Sequence, residues 1–301
     1  MPIALPDVLV LAGGGTLGEA WMRGLLDGAG TQAGLDFREC EYFVGTSAGS
    51  IVAAFLAAGR APDSGAEARA AKDWAEAADA GADRPRRLER LSRVGAALAT
   101  PVAPIALASA GPGGAVARAV ALRAVPTTKR SMPGLGRMID AEGGRLDGRL
   151  RIVAVDRRNG RRVVFGAPDA PQAAVGQAVL ASCSVPGIFA PVQIGGREYV
   201  DGGVWSPTNL DAAPAGRGTR VLCLNPTASL PARRSAFRAL RAFSRSAAAA
   251  ETLALRARGA TVRTIAPDAR AAAAMGVNLM DRRRVPQVLA AGYAQGKALA
   301  G

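Results

Sequence analysis

The sequence predicts an α/β protein built on a mainly parallel central sheet, and three observations lead there. A short apolar run ending in glycines and followed by helical sequence occurs twice within sixty residues, at Val8–Ala12 with Glu19–Leu26 and at Tyr42–Gly45 with Ala48–Ala58. Both runs are continuously apolar rather than alternating, as strands buried on two faces require. Apolar residues make up 49% of the 301 and aromatic residues only 4%, which gives a large core filled by aliphatic side chains and alanine. Parallel strands joined by right-handed crossovers collect ligands at their carboxyl ends, so chemistry is expected just after Ala12 and Gly45.

The later elements follow in order. From Asp63 to about Arg145 strand signals vanish, and Ala-rich, Arg-studded sequence predicts a helical cap inserted over residues 63–145. Strands resume at Leu150–Asp156 and Arg162–Phe165, joined by Asn159-Gly160 as a hairpin turn. Further strands are expected at Pro191–Ile194, Glu198–Val200, Val221–Leu224 and Thr261–Ile265. Helices are expected at Gln172–Ser182, Ser235–Arg258 and Val285–Leu299, which fills 230–301 largely with helix. No internal repeat is found, and residues 1–301 read as one domain with an insertion.

Composition excludes whole classes of chemistry. The chain has no histidine, so it cannot build a Ser-His-Asp triad, a Cys-His pair or a typical catalytic zinc site. Acid–base work falls to carboxylates, Lys, Tyr, Cys or water. Cys40, Cys183 and Cys223 are odd in number and far apart, which argues against a disulfide framework or metal knuckle and for a reducing compartment. The Met1–Asp7 stretch lacks the basic start of a secretory signal, so cytoplasmic residence is expected. Net charge is +14, nearly all from arginine, because lysine occurs only at Lys72, Lys129 and Lys297. Such a balance favours anionic partners such as lipid headgroups or nucleic acid, and a composition bias of the source genome is the alternative.

Three motifs could carry chemistry. Gly13-Gly14-Gly15-Thr16-Leu17-Gly18 lies where a strand meets a helix, and glycines there let backbone N–H groups converge on a phosphate or a developing oxyanion. Gly13, Gly15 and Gly18 also match the dinucleotide fingerprint, which keeps a NAD- or FAD-binding oxidoreductase open. That fingerprint wants an acidic residue ending the second strand, where this chain has Gly45-Thr46-Ser47. A tight turn without a ligand is the bland alternative.

Gly45-Thr46-Ser47-Ala48-Gly49 is a G-x-S-x-G after a strand and at the start of a helix. Small neighbours are required because the sharp turn that pushes the Ser47 hydroxyl outward crowds whatever flanks it. A simple helix N-cap is the competing reading. Asp201-Gly202-Gly203, after apolar Tyr199-Val200, puts a carboxylate at a strand end with open surroundings. Asp and Gly in an ordinary turn would explain the tripeptide alone. Without histidine, however, a serine nucleophile needs another base. Asp201 is the best-placed candidate and Asp156 its rival.

With these blocks in view, the chain resembles the patatin-like phospholipase family, lipid acyl hydrolases that use a Ser–Asp dyad. The resemblance rests on the glycine loop Gly13–Gly18, the elbow Gly45–Gly49, the block Ala181-Ser182-Cys183-Ser184-Val185-Pro186-Gly187-Ile188-Phe189, similar to the family's A-S-x-x-x-P, and Asp201-Gly202-Gly203. Together they span about residues 8–210, some two thirds of the chain. The resemblance implies a three-layer α/β/α sandwich, Ser47 as nucleophile and Asp201 as base. It also implies an oxyanion hole in the Gly13, Gly14, Gly15 loop, with the amides of Gly14 and Gly15 as donors. The elbow and motif glycines Gly18, Gly45, Gly49, Gly202 and Gly203, with Pro186, support that geometry. The family often has Arg or Lys where this chain has Leu17, which bears on the electrostatics of the site.

The implied substrate is a lipid ester, attacked by Ser47 with no metal or cofactor. A lipid-binding pseudo-enzyme without turnover is a further alternative. Val94–Ala117 holds twenty-four residues without a charge and follows Arg84, Arg86, Arg87, Arg90 and Arg93. Pro101, Pro104 and Pro112 argue against a membrane span and for a cap, an interfacial segment or a buried helical insertion. Arg234, Arg238, Arg241 and Arg245 recur at helical spacing near Phe237, Leu240 and Phe243, and could face anionic lipid, a nucleic-acid backbone or solvent. Arg282-Arg283-Arg284 reads the same way. With thirteen aromatic residues and no recognised module, nucleic-acid binding is not expected, whereas peripheral association with an anionic membrane is. The sequence is silent on oligomeric state.

Overall fold

The computed structural model of the chain describes residues 2–62, 114–230 and 235–301. The run Val8–Leu11 forms β1, and Tyr42–Thr46 forms β2. Gly15–Ala33 (α1) and Ala48–Ala57 (α2) follow them as the crossover helices. Then come Gly114–Ala124 (α3), Pro133–Ala141 (α4), Leu150–Asp156 (β3), Arg162–Phe165 (β4) and Val175–Cys183 (α5). Val192–Ile194 (β5), Arg197–Asp201 (β6) and Arg220–Leu224 (β7) precede Ser235–Ala257 (α6). Thr261–Ile265 (β8), Ala269–Met275 (α7) and Val285–Ala300 (α8) close the chain.

The eight strands found among the described residues make one sheet in the order β5-β6-β3-β2-β1-β7-β8, with β4 also paired to β3. Pairings among β3, β2, β1, β7 and β8 are parallel, while β4, β5 and β6 add antiparallel pairings at one side. The period of two along each strand separates the core into two layers. Leu9, Leu11, Phe43, Ile152, Leu222 and Leu224 face α1, α2, α5 and α8, whereas Val8, Val10, Val44, Val153, Val221 and Cys223 face α6 and the Leu210–Ala213 segment. This is the expected α/β fold, a mainly parallel sheet flanked by helices on both faces.

The helix pair α1 and α8 packs unusually close. A Cβ on Gly24 would lie 2.3 Å from Leu289 O, and one on Gly292 would lie 2.5 Å from Trp21 O, so backbone meets backbone only because both positions lack side chains. Trp21 Nε1 donates to Gln295 Oε1 at 2.8 Å, which satisfies the buried indole.

Boundaries differ from the sequence reading in instructive places. The helix expected over Glu19–Leu26 runs from Gly15 to Ala33, because the glycines that mark the turn also open the helix. Gln172–Ser182 starts three residues late, at Val175, where Gln177 Oε1 accepts the Ala174 N–H at 3.1 Å. The helix α7 had signals of its own: Asp268 caps it by accepting from Ala271 N–H at 2.7 Å, and Gly276 ends it with φ +64°. Asn159-Gly160 does join β3 to antiparallel β4, with Gly160 at φ +67°. Of the expected 63–145 cap, residues 114–145 contribute α3 and α4; the Gly176 N–H donates to Asp140 Oδ1 at 2.7 Å and so ties α4 to α5. Residues 63–113 lie outside the described residues, and with them most of Val94–Ala117 and the five preceding arginines.

Candidate active site

Strand β3 has only two edges, and their use explains how distant motifs meet. Its even-numbered residues turn their amides to β4, as in the Asp156 N–H bond to Arg161 O at 2.9 Å. Its odd-numbered residues turn the other way: Arg149 O accepts from Phe43 of β2, and Arg157 N–H donates to Glu198 of β6. Thus β2 and β6 share one edge end to end. Thr46 pairs with Val153 as β2 finishes, and Asp201 pairs with Ala154 immediately beyond. Ser47 leaves the sheet where Asp201 arrives.

The turn at Ser47 is forced. The residue sits at φ +51° and ψ −125°, a region that costs a non-glycine residue about 1–3 kcal/mol. A Cβ on Gly45 would lie 2.4 Å from Ser50 Cα, and one on Gly49 only 1.9 Å from Leu11 O, so the glycines of G-x-S-x-G are steric necessities. Ser182 completes the elbow. Its Oγ accepts the Ser47 N–H at 2.8 Å and donates to Val153 O at 2.6 Å, bridging the gap where the β2–β3 ladder would have placed its next rung. Ser50 holds the other side, its N–H and Oγ donating to Ser47 O at 2.8 and 2.6 Å.

Asp201 is buried at 5% exposure, while Ser47 stays partly accessible. Burial pushes the Asp201 carboxyl up to about 6, against the opposing pull of hydrogen bonds from the Gly203 N–H and the Ser47 side chain. The Gly203 bond measures 2.7 Å. Gly202 must lack a side chain because a Cβ would meet Val153 O at 2.4 Å. The A-S-x-x-x-P block now has a physical account beyond Ser182. Ser184 O accepts the Asp201 N–H at 3.0 Å. Pro186 and Gly187 then form a turn closed by Ile188 N–H to Val185 O at 3.1 Å, with Gly187 at φ +78°, as a type II turn demands.

The glycine loop lies alongside. A Cβ on Gly13 would stand 3.5 Å from Ser47 Cβ, so the loop borders the elbow directly. Gly13 corrects one expectation: its N–H donates to Pro207 O at 2.9 Å and is not open to an oxyanion. Among the described residues the N–H groups of Gly14 and Gly15 meet no backbone acceptor. Gly15 opens α1 at φ +61°, so these two donors stand at a helix N-terminus. Gly14 and Gly18 rest against Pro226, and Gly15 against Leu279 and Met280. Leu17, where the sequence departs from the resemblance, is fully buried in the core.

Several of the remaining candidates are held by partners within the fold. Asp156, the rival to Asp201, accepts from Arg158 N–H at 2.8 Å and Asn159 Nδ2 at 3.1 Å and pairs with Arg197 at 3.1 Å, so it holds the β3–β4 turn. Arg238 and Arg245 of the arginine stripe are exposed, Arg241 donates to Leu230 O at 3.3 Å, Phe243 turns inward, and Arg234 lies outside the described residues. In the Arg282–Arg284 run, Arg283 and Arg284 both lean on Asp281. Cys40, Cys183 and Cys223 are buried free thiols. Among the described residues no cluster of acidic and cysteine side chains is suited to a metal ion, and no helix is long and apolar enough to cross a membrane. An open groove of about 1130 Å³, lined by Tyr42, Arg149 and Arg151, lies at the amino-terminal end of β2 and β3, the opposite pole from Ser47.

Two residues of the site carry no motif: Asn209, fully buried beside Thr46 and Gly202, and Glu251 of α6, which grips the loop before Leu210. Asn209 could have been suspected from its own φ of +47°, but a sequence does not display that.

The chain is similar in structure to VipD from Legionella pneumophila, at 15% identity and a TM-score of 0.43, covering 99% of this chain and 67% of that one. It is also similar to the type III effector protein ExoU, at 16% identity and a TM-score of 0.36, covering 99% of this chain and 53% of that one. No curated protein matches the sequence. The patatin-like phospholipase family matches residues 9–214, which takes in the glycine loop, the elbow, the Ser182 block and Asp201. That span covers more than half of the chain and every motif gathered at the shared edge of β3, and by it this protein belongs to the patatin-like phospholipase family of lipid hydrolases.

Proposed function

We propose that the protein cleaves lipid esters through an acyl-enzyme formed on Ser47, with Asp201 as the base. The observation that carries this reading is the shared edge of β3, which ends one strand at Thr46 and begins the next pairing at Asp201. Asp201 takes the Ser47 hydroxyl proton as Oγ attacks the ester carbonyl, and the amides of Gly14 and Gly15 receive the oxyanion. Collapse of the tetrahedral adduct expels the alcohol, which leaves with that proton. Water then attacks the acyl-serine, Asp201 accepts its proton, and the fatty acid departs as Ser47 is regenerated.

An aspartate is ordinarily a weaker base than histidine by about 3.5 kcal/mol, and this chain has no histidine to use. Burial offsets most of that deficit by raising Asp201 to about 6. Esters, with good leaving groups, suit such a base better than amides. The charge of +14 and the exposed Arg238 and Arg245 support work at an anionic membrane surface on the cytoplasmic side.

A fluorophosphonate probe tests the nucleophile: wild type is labelled and Ser47→Ala is not. Hydrolysis of p-nitrophenyl butyrate should vanish in Ser47→Ala and Asp201→Asn. Unchanged hydrolysis in either variant refutes its assigned role. Binding of lipid vesicles with no hydrolysis and no labelling in wild type would establish a pseudo-enzyme instead, and a bound nicotinamide or flavin would reopen the oxidoreductase reading of the glycine loop.

A further inference from the structure

The loop formed by residues 206–210 touches all three motifs of the site, and none of its contacts follows from those motifs. Asn209 Nδ2 stands 3.1 Å from Thr46 Oγ1, 3.2 Å from Gly202 O and 2.6 Å from Ser206 O. Thr46 precedes Ser47, and Gly202 follows Asp201. Two amide hydrogens serve three oxygens, so one is shared, and the orientation of the amide is fixed because its Oδ1 faces Arg162 Nη1 at 3.4 Å. Arg162 is itself held by a bidentate pair with Asp211 at 2.5 and 2.9 Å. Two residues earlier, Pro207 O accepts the Gly13 N–H at 2.9 Å and sets the height of the glycine loop.

The loop is gripped by a carboxylate of α6, which packs on the same face of the sheet. Glu251 Oε2 accepts from Thr208 Oγ1 at 2.5 Å and from Leu210 N–H at 2.7 Å. Burial, and then the charge of Asp211, push its carboxyl above the ordinary range, and no cation pairs with it among the described residues. Ser206 Oγ, also a partner of Glu251, accepts the N–H groups of Thr208 and Asn209 at 3.2 Å each. A non-glycine residue at φ +47° and a part-buried carboxyl without a cation are both unfavourable locally. Folds keep such costs where geometry matters.

We propose that Asn209 and Glu251 are positioning residues of the acyl-transfer site: Asn209 fixes the Ser47 elbow relative to the Asp201 turn, and Glu251 holds the 206–210 loop that also anchors Gly13. The inference rests on the reading of Ser47 and Asp201 as the reacting pair. A displacement of about 1 Å between reacting groups can reduce rate about 100-fold without altering substrate affinity, so the effect belongs in kcat and not in KM. Asp201 is faced by Ser47 from the elbow, by Gly203 of its own turn and by the Cys183 thiol of α5, and among the described residues no cation acts on it. Loosening the elbow weakens the Ser47 hydrogen bond that holds the Asp201 carboxyl down.

The test uses the full chain, fluorophosphonate titration of active sites and hydrolysis of p-nitrophenyl butyrate across pH. Thr46→Val deletes one buried oxygen and keeps the strand-forming shape; Asn209→Asp keeps size and tolerance of positive φ but loses the donors. Both should lower kcat per titrated site about 10- to 100-fold with KM within about twofold, and should move the acid limb to higher pH. Thr46→Ser should restore kcat. Glu251→Leu should lower kcat about 10-fold, and Glu251→Gln, which keeps one acceptor, should recover part of it. If Thr46→Val and Glu251→Leu lose only melting temperature, with kcat per titrated site and the acid limb as in wild type, the positioning role is refuted, and this holds even if Asn209→Asp does not fold. Failure of the parent reading is distinct: there, wild type takes no probe or Ser47→Ala still hydrolyses the ester.

Discussion

Replacing Asp201 by Asn should abolish hydrolysis and stabilise the fold at neutral pH. The carboxyl is buried and lifted from an ordinary 3.8 to about 6. At 1.36 kcal/mol for each pH unit of displacement, its ionised form destabilises the folded chain by about 3 kcal/mol relative to the unfolded one. Asparagine can still accept from the Gly203 N–H, but as a neutral acceptor it does so less strongly, which leaves a net gain of about 1–3 kcal/mol for the variant. The sign with pH is set by the raised value. Above about pH 7, Asp201 is charged in both states and the full penalty applies. As pH falls through about 6 the folded state takes up the proton first, the penalty fades, and by about pH 4 it is gone. Urea unfolding of wild type and Asp201→Asn at pH 8, 6 and 4.5 measures this directly, and the stability gap should close as pH falls. The same ionisation gives kcat/KM of wild type an acid limb near pH 6, with a tenfold loss per pH unit below it. A variant less stable than wild type at pH 8, or a gap independent of pH, would show that burial does not raise this carboxyl.

Other substitutions probe the elbow and the core. Ser47→Gly should be inactive yet more stable than Ser47→Ala by about 1–3 kcal/mol in chemical denaturation, because only glycine relaxes at φ +51° and ψ −125°; equal stabilities would remove the strain argument. Gly49→Ala should destabilise by at least about 3 kcal/mol, since its methyl would stand 1.9 Å from Leu11 O, and a normally folded variant would contradict the packing of α2 on β1. Ser182→Ala leaves the Ser47 N–H and Val153 O without their bridge and should cost about 1–3 kcal/mol and lower kcat, as read by urea melts and ester hydrolysis. The thiols of Cys40, Cys183 and Cys223 are all pushed up by burial, Cys40 to about 12, so iodoacetamide should leave the native protein unmodified by mass spectrometry and fully active.

Much of this arrangement was legible because its requirements are local. Val8–Leu11 and Tyr42–Thr46 announce buried parallel strands by unbroken apolarity, and Gly45 and Gly49 announce the elbow because the turn excludes a Cβ there. Asp201 could be ranked above Asp156 by its motif, yet the physical reason lay in partners that the sequence does not pair: Asp156 is taken by Arg158, Asn159 and Arg197. The engaged amide of Gly13 is hidden for the same reason, since its acceptor, Pro207, lies almost two hundred residues away. Asn209 and Glu251 were invisible. An asparagine among Ser, Pro and Thr reads as loop, and a glutamate on an Ala-rich helix reads as a solvated face, until tertiary structure brings the two to one loop.

Together these features make the site a concentrated source of instability. A buried carboxylate at about 3 kcal/mol and a strained Ser47 at about 1–3 kcal/mol sum to a sizeable part of the 5–15 kcal/mol that an ordinary domain possesses. On the proposed reading neither can be relieved without loss of function. Asp201 in water would return to an ordinary carboxylate, too weak a base for a chain without histidine, and a relaxed Ser47 would turn its hydroxyl away from the carboxyl it must reach. The compensation lies elsewhere: in the glycine-to-backbone contact of α1 with α8, in the Trp21–Gln295 bond, and in two aliphatic layers that bury β1 entirely and nearly all of β2, β3 and β7. Substitutions that stabilise the protein are therefore expected to cluster in two places with opposite consequences, neutral to activity in the distal core and fatal to it along the shared edge of β3.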